Sequence, residues 1–550
     1  MEFRKLIVPL LCVAAAAFLA TQGMDLWDSG YIVGYSWRIL NGEIPYRDFF
    51  FKGPPATLYL WAGLMKITPL VGQFYILKLI NWCLFFLQIR FWVKGFKYFY
   101  RWEKTTLSVL ALGGICFSVQ FFPMYPWPTT DGLLFASIAF YLLGSYAHKK
   151  NAFLWPIIAL MTVLSALTKQ SFYPVPLLFL VATVLYFDSK KGLWLFLWQL
   201  FFLGIGILAL YLNHLLPAFI AHTTGETTLS DLWLSGVQNY ILGYKNLGLA
   251  WIPVGVIALL IIIYALYQKL TFGQMLLQIA IAGSLWALVY GLLTTFQEGA
   301  RLLWCMLLIG MVSFISLQKK DWIKSTPLWI ILGIAWCSSI SLGYPFPVFM
   351  GLGLLLVFYF FVFEGMPKNY MPLFQWITAC FLITGTVYHY QPYAERPLSE
   401  LHYNLGVVSA KLEGIQTSKG HFEKMKELKT LQVAYPHKKY IFAPNIPIGY
   451  YAFSLRNPLP ADWLLNWEIH RDPKTLLKIA SQKENLIFVE KSFIKGNELF
   501  MPKDRADFSV VTDYIVRHFH PIKETQHFIV YNGSSLNAPL PQTSKTGTVH

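Results

Sequence analysis

The sequence is poor in charged residues. Only 13% of its 550 residues are Asp, Glu, Lys or Arg, against about 25% in ordinary soluble domains. Hydrophobic residues make up 56% of the chain, and aromatic residues alone make up 17%. Apolar runs of membrane-spanning length recur along it, which excludes an ordinary soluble enzyme and predicts an all-α polytopic membrane protein.

Cysteine is also scarce. All six cysteines lie in apolar segments, none follows Cys380, and no CxxC pair occurs. This pattern indicates neither a zinc site nor a disulfide framework. Free cysteines in such segments behave as small hydrophobic residues.

The 44 Lys and Arg residues outnumber the 28 Asp and Glu residues, and the formal net charge is +16. Residues 1–390 contain 24 Lys and Arg, and 16 of these fall in loops on one side of the predicted bundle. That is the positive-inside pattern, not a nucleic-acid-binding face. It predicts a multi-pass protein of the cell (inner) membrane with a cytoplasmic N-terminus. The first loop and the region after Tyr390 are then extracytoplasmic.

The apolar runs predict about thirteen transmembrane helices in a membrane domain of residues 1–390. Their expected limits are Leu6–Gln22, Phe74–Trp92, Thr105–Phe122, Gly132–Ala147, Ala152–Leu167, Phe172–Phe187, Leu193–Leu216, Leu249–Tyr267, Phe272–Phe296, Ala300–Leu317, Pro327–Leu342, Pro345–Phe363 and Pro372–Tyr390. Two shorter apolar stretches, Gly30–Leu40 and Pro55–Ile67, predict helices that lie in the outer interface within a first outer loop of residues 23–73.

After residue 390 the long apolar runs stop. The segments YIFAP (440–444), NLIFVE (485–490) and HFIVYN (527–532) predict short strands. The segments PKTLLKIASQ (473–482) and VVTDYIVRHF (510–519) predict helices between them. This alternation predicts an extracytoplasmic α/β domain over residues 391–532. The composition of residues 533–550 predicts a disordered tail.

Three carboxylates belong to the predicted outer surface. Asp28 and Asp48 flank the first interfacial helix, and Asp131 lies at the outer mouth of the fourth spanning helix. Such groups act as a general base or bind a divalent metal ion such as Mg²⁺, Mn²⁺ or Zn²⁺. The metal candidates are Asp28 and Asp131. The alternatives are loop carboxylates solvated by water and, for Asp131, a helix N-cap.

Three cations depart from the positive-inside trend. Lys52, Lys169 and Arg301 all lie at outer helix ends or in the outer loop. Cations in those places can hold a phosphate that leaves as an anion. The alternatives are snorkelling into the headgroup layer and, for Arg301, pairing with Glu298 one helical turn earlier.

The stretch DSGYIVGYSWRILNGEIPYRDFFFKGPP (28–55) resembles the first outer loop of GT-C glycosyltransferases. These membrane enzymes use polyprenyl-phosphate sugars, and they include protein O-mannosyltransferases, lipid A aminoarabinose transferases and lipopolysaccharide-core sugar transferases. The shared pattern is an acid that opens the loop, a helix that ends in NG, and a lysine before a PP pair. The TTDG and KQ runs, at 129–132 and 169–170, are similar to that class as well.

The resemblance implies a role for each matching residue. Asp28 matches the acid that activates the acceptor hydroxyl or helps bind a metal, and Asp131 matches a second acid. Lys52 and Lys169 match residues that hold the lipid phosphate, and Arg301 matches a basic residue before a late helix. Two departures are visible in the sequence. Ser29 follows Asp28 where the family often has a second acid, and Gly53 separates Lys52 from the PP pair.

The predicted function is that of an inverting hexosyl- or pentosyltransferase with an Asp general base. Its partners would be a polyprenyl-phosphate sugar donor, an outer glycolipid, glycan or protein acceptor and membrane lipids, but no nucleic acid. Three alternatives stay open. A transporter or flippase would need charges at the membrane midplane, a ligase of lipid-linked saccharides would need a large late loop, and an assembly protein would use the α/β domain without catalysis.

Overall fold

The computed structural model describes residues 3–100, 104–119, 125–224, 248–294, 296–317, 322–339, 351–365, 371–469, 473–495 and 505–536. The chain divides into two compact units. The bundle unit consists of Met1–Ala16, Ile80–Ala209 and Leu229–Tyr393. The loop unit consists of Ala17–Leu79, Leu210–Thr228 and Ala394–His550.

Helices fill most of the described chain before residue 390. They are α1 (Phe3–Thr21), α2 (Asp28–Leu40), α3 (Ala56–Ile67), α4 (Gln73–Tyr100), α5 (Lys104–Val119), α6 (Pro128–Lys149), α7 (Leu154–Ala166), α8 (Val175–Tyr186), α9 (Ser189–Leu212), α10 (Leu216–Thr224), α11 (Trp251–Tyr267), α12 (Phe272–Leu293), α13 (Phe296–Leu317), α14 (Thr326–Ser339), α15 (Gly351–Gly365) and α16 (Met371–His389).

In the described part of the chain, a helix lies at the place of each of the thirteen predicted spans, because an apolar run is a local signal. The predicted limits Phe122, Leu342 and Pro345 lie outside the described residues. Among the described residues, five helices are long and apolar enough to cross a membrane: Gln73–Tyr100, Ser189–Leu212, Gly248–Tyr267, Phe272–Leu293 and Glu298–Leu317. Six other apolar helices in this part are shorter. The chain is thus a multi-pass membrane protein, as predicted. The largest extension is that of α4, which continues beyond Trp92 to Tyr100.

The two short apolar stretches of the first loop also form the predicted helices. Helix α2 ends at the NG pair, where Gly42 adopts a φ of +87° and its amide bonds to the Ile39 carbonyl. Glycine takes this left-handed conformation at little cost, so the pair stops the helix. Helix α3 begins directly after Pro55, whose missing N–H is not needed in a first helical turn.

Within the bundle unit, helices pack against partners both near to and far from them in the sequence. Helix α6 packs on α7, α5 packs on α15 and α16, and α8 packs on α14. Helices α12 and α13 form a close hairpin, where a Cβ at Gly299 would lie 2.6 Å from the Gly291 Cα. The two glycines therefore allow these helix backbones to touch, as small residues do between membrane helices.

The loop unit contains the predicted α/β region. Its strands are β1 (Tyr403–Asn404), β2 (Gln416–Thr417), β3 (Lys439–Ala443), β4 (Asn485–Glu490), β5 (Phe519–Glu524) and β6 (Phe528–Leu536). Strands β1 and β2 pair antiparallel, and the others form a sheet of order β3-β4-β6-β5. Strand β3 is parallel to β4, with Ile441 opposite Ile487, and the other two pairings are antiparallel.

The helices of this region are α17 (Lys419–Ala434), α18 (Pro447–Ala452), α19 (Pro473–Ala480), α20 (Lys491–Lys495), α21 (Arg505–Phe508) and α22 (Val510–His518). Predicted strands and helices coincide with β3, β4, β6, α19 and α22, whereas β5 and α17 were not predicted. The boundaries proposed at residues 390 and 532 stay predictions. Strand β6 continues to Leu536, and residues 537–550 of the predicted tail lie outside the described part.

Helix α2 packs directly against α18 inside the loop unit. A Cβ at Gly30 would lie 2.2 Å from the Ile448 amide nitrogen, and one at Gly34 would lie 3.3 Å from the Pro447 Cβ. Glycine at both positions lets the two helix backbones approach. The first loop and the C-terminal region therefore share one packed interface.

A second contact ties the start of the first loop to the C-terminal region. Glu395 accepts hydrogen bonds from the Met24 amide and the Thr417 hydroxyl, and His421 Nδ1 lies 3.1 Å from its Oε1. Lys78, buried in α4, donates to the carbonyls of Gln22 and Gly23 at 2.7 and 2.6 Å. These bonds satisfy buried polar groups that would otherwise destabilise the fold.

Candidate active site

Asp28 is the first residue of α2, in the loop unit. It is partly buried, and the N-terminus of a helix favours a carboxylate there. One helical turn later, Tyr31 packs its ring 4.5 Å from the Trp463 ring. Its hydroxyl donates to Glu468 Oε2 at 3.5 Å. The acid predicted from the loop motif thus lies beside a phenol that the C-terminal region holds.

Four titratable side chains of the loop unit influence one another's charge, and we call them the loop cluster: Asp28, Tyr31, Lys52 and Glu468. Burial raises the pKa of Glu468, and the nearby charge of Lys52 and the bond from Tyr31 oppose that shift. Burial also raises the pKa of Tyr31, and the charges of Glu468 and, more weakly, Asp28 add to it. Asp28 and Lys52, from the two ends of the loop motif, therefore both act on the Tyr31–Glu468 pair.

Asp48 has a local set of contacts. Its two carboxylate oxygens lie 3.0 and 2.8 Å from the Arg47 guanidinium, and Oδ2 also accepts the Ile44 amide at 2.7 Å. The bond from Arg47, aided by that amide, lowers the pKa of Asp48. These contacts stabilise the turn between α2 and α3. A catalytic role for Asp48 stays a prediction.

Helix α2 also carries a buried ion-pair network. Arg38 pairs with Glu43 Oε2 at 2.7 Å and with Asp462 Oδ1 at 2.8 Å. Asn457 donates to the same Asp462 oxygen at 2.8 Å. The side chains of Arg38 and Asp462 are 5% and 1% exposed, so each is the charge partner that the other needs in the interior. The network locks α2 to residues 457–462.

The bundle unit holds a second predicted acid and cation. Asp131 is buried in the first turn of α6, which begins after Trp127. Lys169 follows α7 and donates from Nζ to the Thr129 hydroxyl at 3.2 Å. Trp127 occupies the N-cap position of α6, so Asp131, which lies in the first helical turn, is not the N-cap.

Gly132 brings these two segments together. A Cβ at this position would lie 2.7 Å from both the Thr168 hydroxyl and the Phe172 ring. The Ser165 hydroxyl donates to the Gly132 carbonyl at 2.8 Å, which fixes the same approach. The neighbours of Asp131 and Lys169 in sequence are therefore in direct contact.

Burial lowers the pKa of Lys169 to about 8. A folded-state pKa below the usual value near 10.5 means that folding disfavours the charged amine, so this lysine costs stability below pH 8 and the cost fades as the pH rises toward 10.5. At neutral pH this cost is roughly 3 kcal/mol.

We therefore expect Lys169→Met to raise the thermal stability of the purified protein at pH 7. The wild-type protein should become more stable between pH 8 and 10, and the variant should lose this pH dependence. The same variant should lose donor binding if Lys169 holds a phosphate. The measurement is thermal unfolding in detergent across that pH range. Lys66→Met is the matched control, because Lys66 is exposed on α3. Equal stability changes in the two variants would contradict the prediction.

Arg301 lies on α13, in the α12–α13 hairpin of the bundle unit. It is 6% exposed. In the same hairpin the Tyr290 phenol donates to Glu298 Oε2 at 3.1 Å. A phosphate-binding role for Arg301 stays a prediction, as do its alternatives, snorkelling and pairing with Glu298.

The predicted metal ion is not supported by a ligand cluster. Among the described residues, no group of three or more His, Cys, Asp or Glu side chains is arranged to hold a metal. Asp28 and Asp131 belong to different units. A metal-binding role for Asp28 and Asp131 stays a prediction.

Several charged residues were not singled out from the sequence. Glu468 and Asp462 are more than 400 positions away from the α2 residues that they contact, and no local pattern connects them. Lys78 did leave a signal, since an ionisable residue inside an apolar run is uncommon and usually has a specific partner.

No family model and no curated protein sequence matches the chain. Among solved structures, the crystal structure of ArnT from Cupriavidus metallidurans bound to undecaprenyl phosphate matches 98% of this chain and 100% of its own. The identity is 11% and the TM-score is 0.41, a likeness too low to assign a family or a function.

Proposed function

We propose that the protein is a membrane glycosyltransferase that moves one sugar from a polyprenyl-phosphate donor to an extracytoplasmic glycolipid, glycan or protein. One observation carries the proposal: the GT-C-like loop motif folds back so that Tyr31, one helical turn after Asp28, packs its ring 6.1 Å from the ring of Phe51, the residue before Lys52. The bundle unit adds a second acid and cation, Asp131 and Lys169, on touching segments.

In the proposed reaction the acceptor oxygen bonds to the anomeric carbon while the carbon–oxygen bond to the phosphate breaks. The bonding electrons leave with the phosphate oxygen, and Asp28 takes the proton of the acceptor hydroxyl. Attack from the face opposite the phosphate inverts the anomeric centre. Lys52 stabilises the negative charge that develops on the phosphate, and a phosphate-binding role for Lys169 stays a prediction. Asp48 and Arg301 remain predicted contributors.

The proposed orientation follows from the same chemistry. A lipid-linked donor can be presented at the outer surface of a membrane, where a nucleotide sugar is not available. We therefore propose that the loop unit faces the extracytoplasmic side. A reporter fused after Gly30 and found in the cytosol would contradict this orientation.

The first test is donor-lipid binding. We expect undecaprenyl phosphate at 100 times its Kd to stabilise the purified protein by about 2.7 kcal/mol. Undecaprenol, which lacks the phosphate, should stabilise it far less because the proposed site holds the anion. The measurement is thermal unfolding in detergent with each lipid. Equal effects of the two lipids would contradict a phosphate-binding site.

The second test is transfer itself. The purified protein is incubated with a panel of polyprenyl-phosphate sugars and envelope extracts, and labelled products are separated by mass. We expect one donor to be used. A parallel assay with EDTA decides whether the predicted Mg²⁺, Mn²⁺ or Zn²⁺ is required. Absence of transfer from every donor would count against the proposed function.

A further inference from the structure

Asp25 is a buried acid shortly before Asp28, and no step of the proposed reaction uses it. Its Oδ1 atom accepts the Trp27 amide at 2.8 Å and the Ser29 amide at 3.2 Å. Its Oδ2 atom accepts the Ser29 hydroxyl at 2.6 Å. Trp27 and Ser29 are the residues on either side of Asp28, so one carboxyl group holds the main chain before and after the proposed base.

These bonds also define how α2 begins. The first amide groups of a helix have no partner within the helix. Trp27 occupies the N-cap position, and its side chain makes no cap bond. Asp25 supplies the missing acceptor to the Ser29 amide in the first turn. Because the main chain at Asp28 sets the direction in which its Cβ points, Asp25 fixes the direction in which the Asp28 side chain leaves the helix.

Asp25 is in turn held by the C-terminal region. The Met24 amide donates to Glu395 Oε1 at 3.2 Å, and the Met24 carbonyl accepts the Thr417 hydroxyl at 3.3 Å. Thr417 also donates to Glu395, whose side chain is fully buried. All of these residues belong to the loop unit. A continuous set of contacts therefore runs from β2 through Met24 and Asp25 to the main chain around Asp28.

These contacts do not depend on the charge of Asp25. Burial raises the pKa of Asp25, and the bonds from Ser29 and Trp27 oppose that shift. An amide N–H needs an acceptor oxygen, which both the ionised and the protonated carboxyl group provide. The substitution Asp25→Asn keeps one such oxygen, whereas Asp25→Ala keeps none.

We propose that Asp25 is a positioning residue for Asp28: its bonds to the Trp27 and Ser29 amides hold the Asp28 carboxylate where it can take the acceptor proton. This inference rests on the proposed function, because it takes Asp28 as the general base. Asp25 acts through Asp28 and not on the substrates. Such an effect is large enough to measure, since a displacement of about 1 Å at a reacting group lowers a rate by up to about 10²-fold.

The test is a double-mutant cycle on the full-length protein. Single-turnover transfer is measured for the wild type, Asp25→Ala, Asp28→Asn and the double variant. Asp25→Ala should lower the rate by about 10- to 100-fold and leave the affinity for undecaprenyl phosphate unchanged. Added to Asp28→Asn, it should change the rate by less than about twofold, because no base remains to be positioned. Losses that multiply in the double variant would overturn the inference.

Hydrogen–deuterium exchange tests the same contacts without the reaction. In Asp25→Ala the peptide that contains Trp27 and Ser29 should exchange its amide hydrogens faster than in the wild type. In Asp25→Asn it should exchange at close to the wild-type rate, and this variant should also keep most of the transfer rate. The inference fails if Asp25→Ala leaves the exchange unchanged, or if Asp25→Asn loses as much transfer as Asp25→Ala does.

Two further variants separate positioning from stability. Ser509 accepts the Thr512 amide at the start of α22, in the same unit. Ser509→Ala should lower the thermal stability but leave the transfer rate per folded protein unchanged. An equal loss of transfer in Ser509→Ala would assign the effect of Asp25→Ala to stability alone. If Asp25→Ala does not fold, Asp25→Ser takes its place in the cycle, because the shorter side chain reaches at most one of the two amides.

The inference and the proposed function fail in different ways. If the wild-type protein transfers sugar from no donor, the proposed function is wrong and the inference falls with it. If the wild-type protein transfers sugar and Asp25→Ala transfers it equally fast, the function stands and the role of Asp25 is wrong.

Discussion

Asp28→Asn is expected to lower the rate of sugar transfer by about 10²–10⁴-fold, the usual contribution of a positioned general base. The amide keeps the shape of the carboxylate and the start of α2, but it cannot take the acceptor proton. Binding of undecaprenyl phosphate should persist, because the substitution removes a negative charge and no proposed phosphate ligand. The assay is transfer under single-turnover conditions, beside lipid binding on the same sample.

Asp48→Asn is the matched comparison. Both acids belong to the first loop, but Asp48 bonds Arg47 and the Ile44 amide within its own turn. We expect its substitution to affect transfer far less than Asp28→Asn does. A loss as large as that of Asp28→Asn would assign Asp48 to the chemistry, and unchanged transfer by Asp28→Asn would remove Asp28 from it.

Asp462→Ala is expected to give the largest loss of stability, about 3–5 kcal/mol, the usual cost of removing one partner of a buried ion pair. Arg38 would keep its ion pair with Glu43 but lose the Asp462 carboxylate, and the Asn457 amide would lose its hydrogen-bond acceptor. The measurement is denaturant unfolding in detergent followed by tryptophan fluorescence.

Glu43→Ala is the control for Asp462→Ala. The Glu43 side chain is 20% exposed, so water can replace part of its contact with Arg38. We expect it to cost clearly less than Asp462→Ala. If the two substitutions lower the free energy of unfolding equally, the buried pair of Arg38 and Asp462 is not the main contact that holds α2 to residues 457–462.

The helices were predictable because their signals are local. A run of apolar residues, the NG pair after Leu40 and the prolines before Ala56 each act within a few positions of the chain, and the observed limits of α2 and α3 follow them closely. Strand β4 was predictable for the same reason, since NLIFVE is apolar almost throughout. Strand β5 was not, because FHPIKE is mostly polar and exposed and contains a proline.

The candidate residues were predictable only where the chain itself carries a motif. Asp28 and Lys52 belong to one stretch of the sequence, and the two ends of that stretch meet at Tyr31, whose ring lies 6.1 Å from the ring of Phe51. The acids that complete the loop cluster arrive from far along the chain, so periodicity and spacing contain no information about them. Glu468 and Asp462 follow from tertiary packing alone, as does the contact of Gly132 with Thr168.

The close packing of α2 against α18 constrains how this sequence can evolve. A methyl group at position 30 meets main-chain atoms of Ile448, which cannot rotate away as a side chain would. A substitution there is tolerable only together with a rebuilt backbone at residues 447–448. We therefore expect these two stretches to vary jointly among descendants of this sequence, and an exchange of the distal region alone between divergent copies to produce a protein that does not assemble.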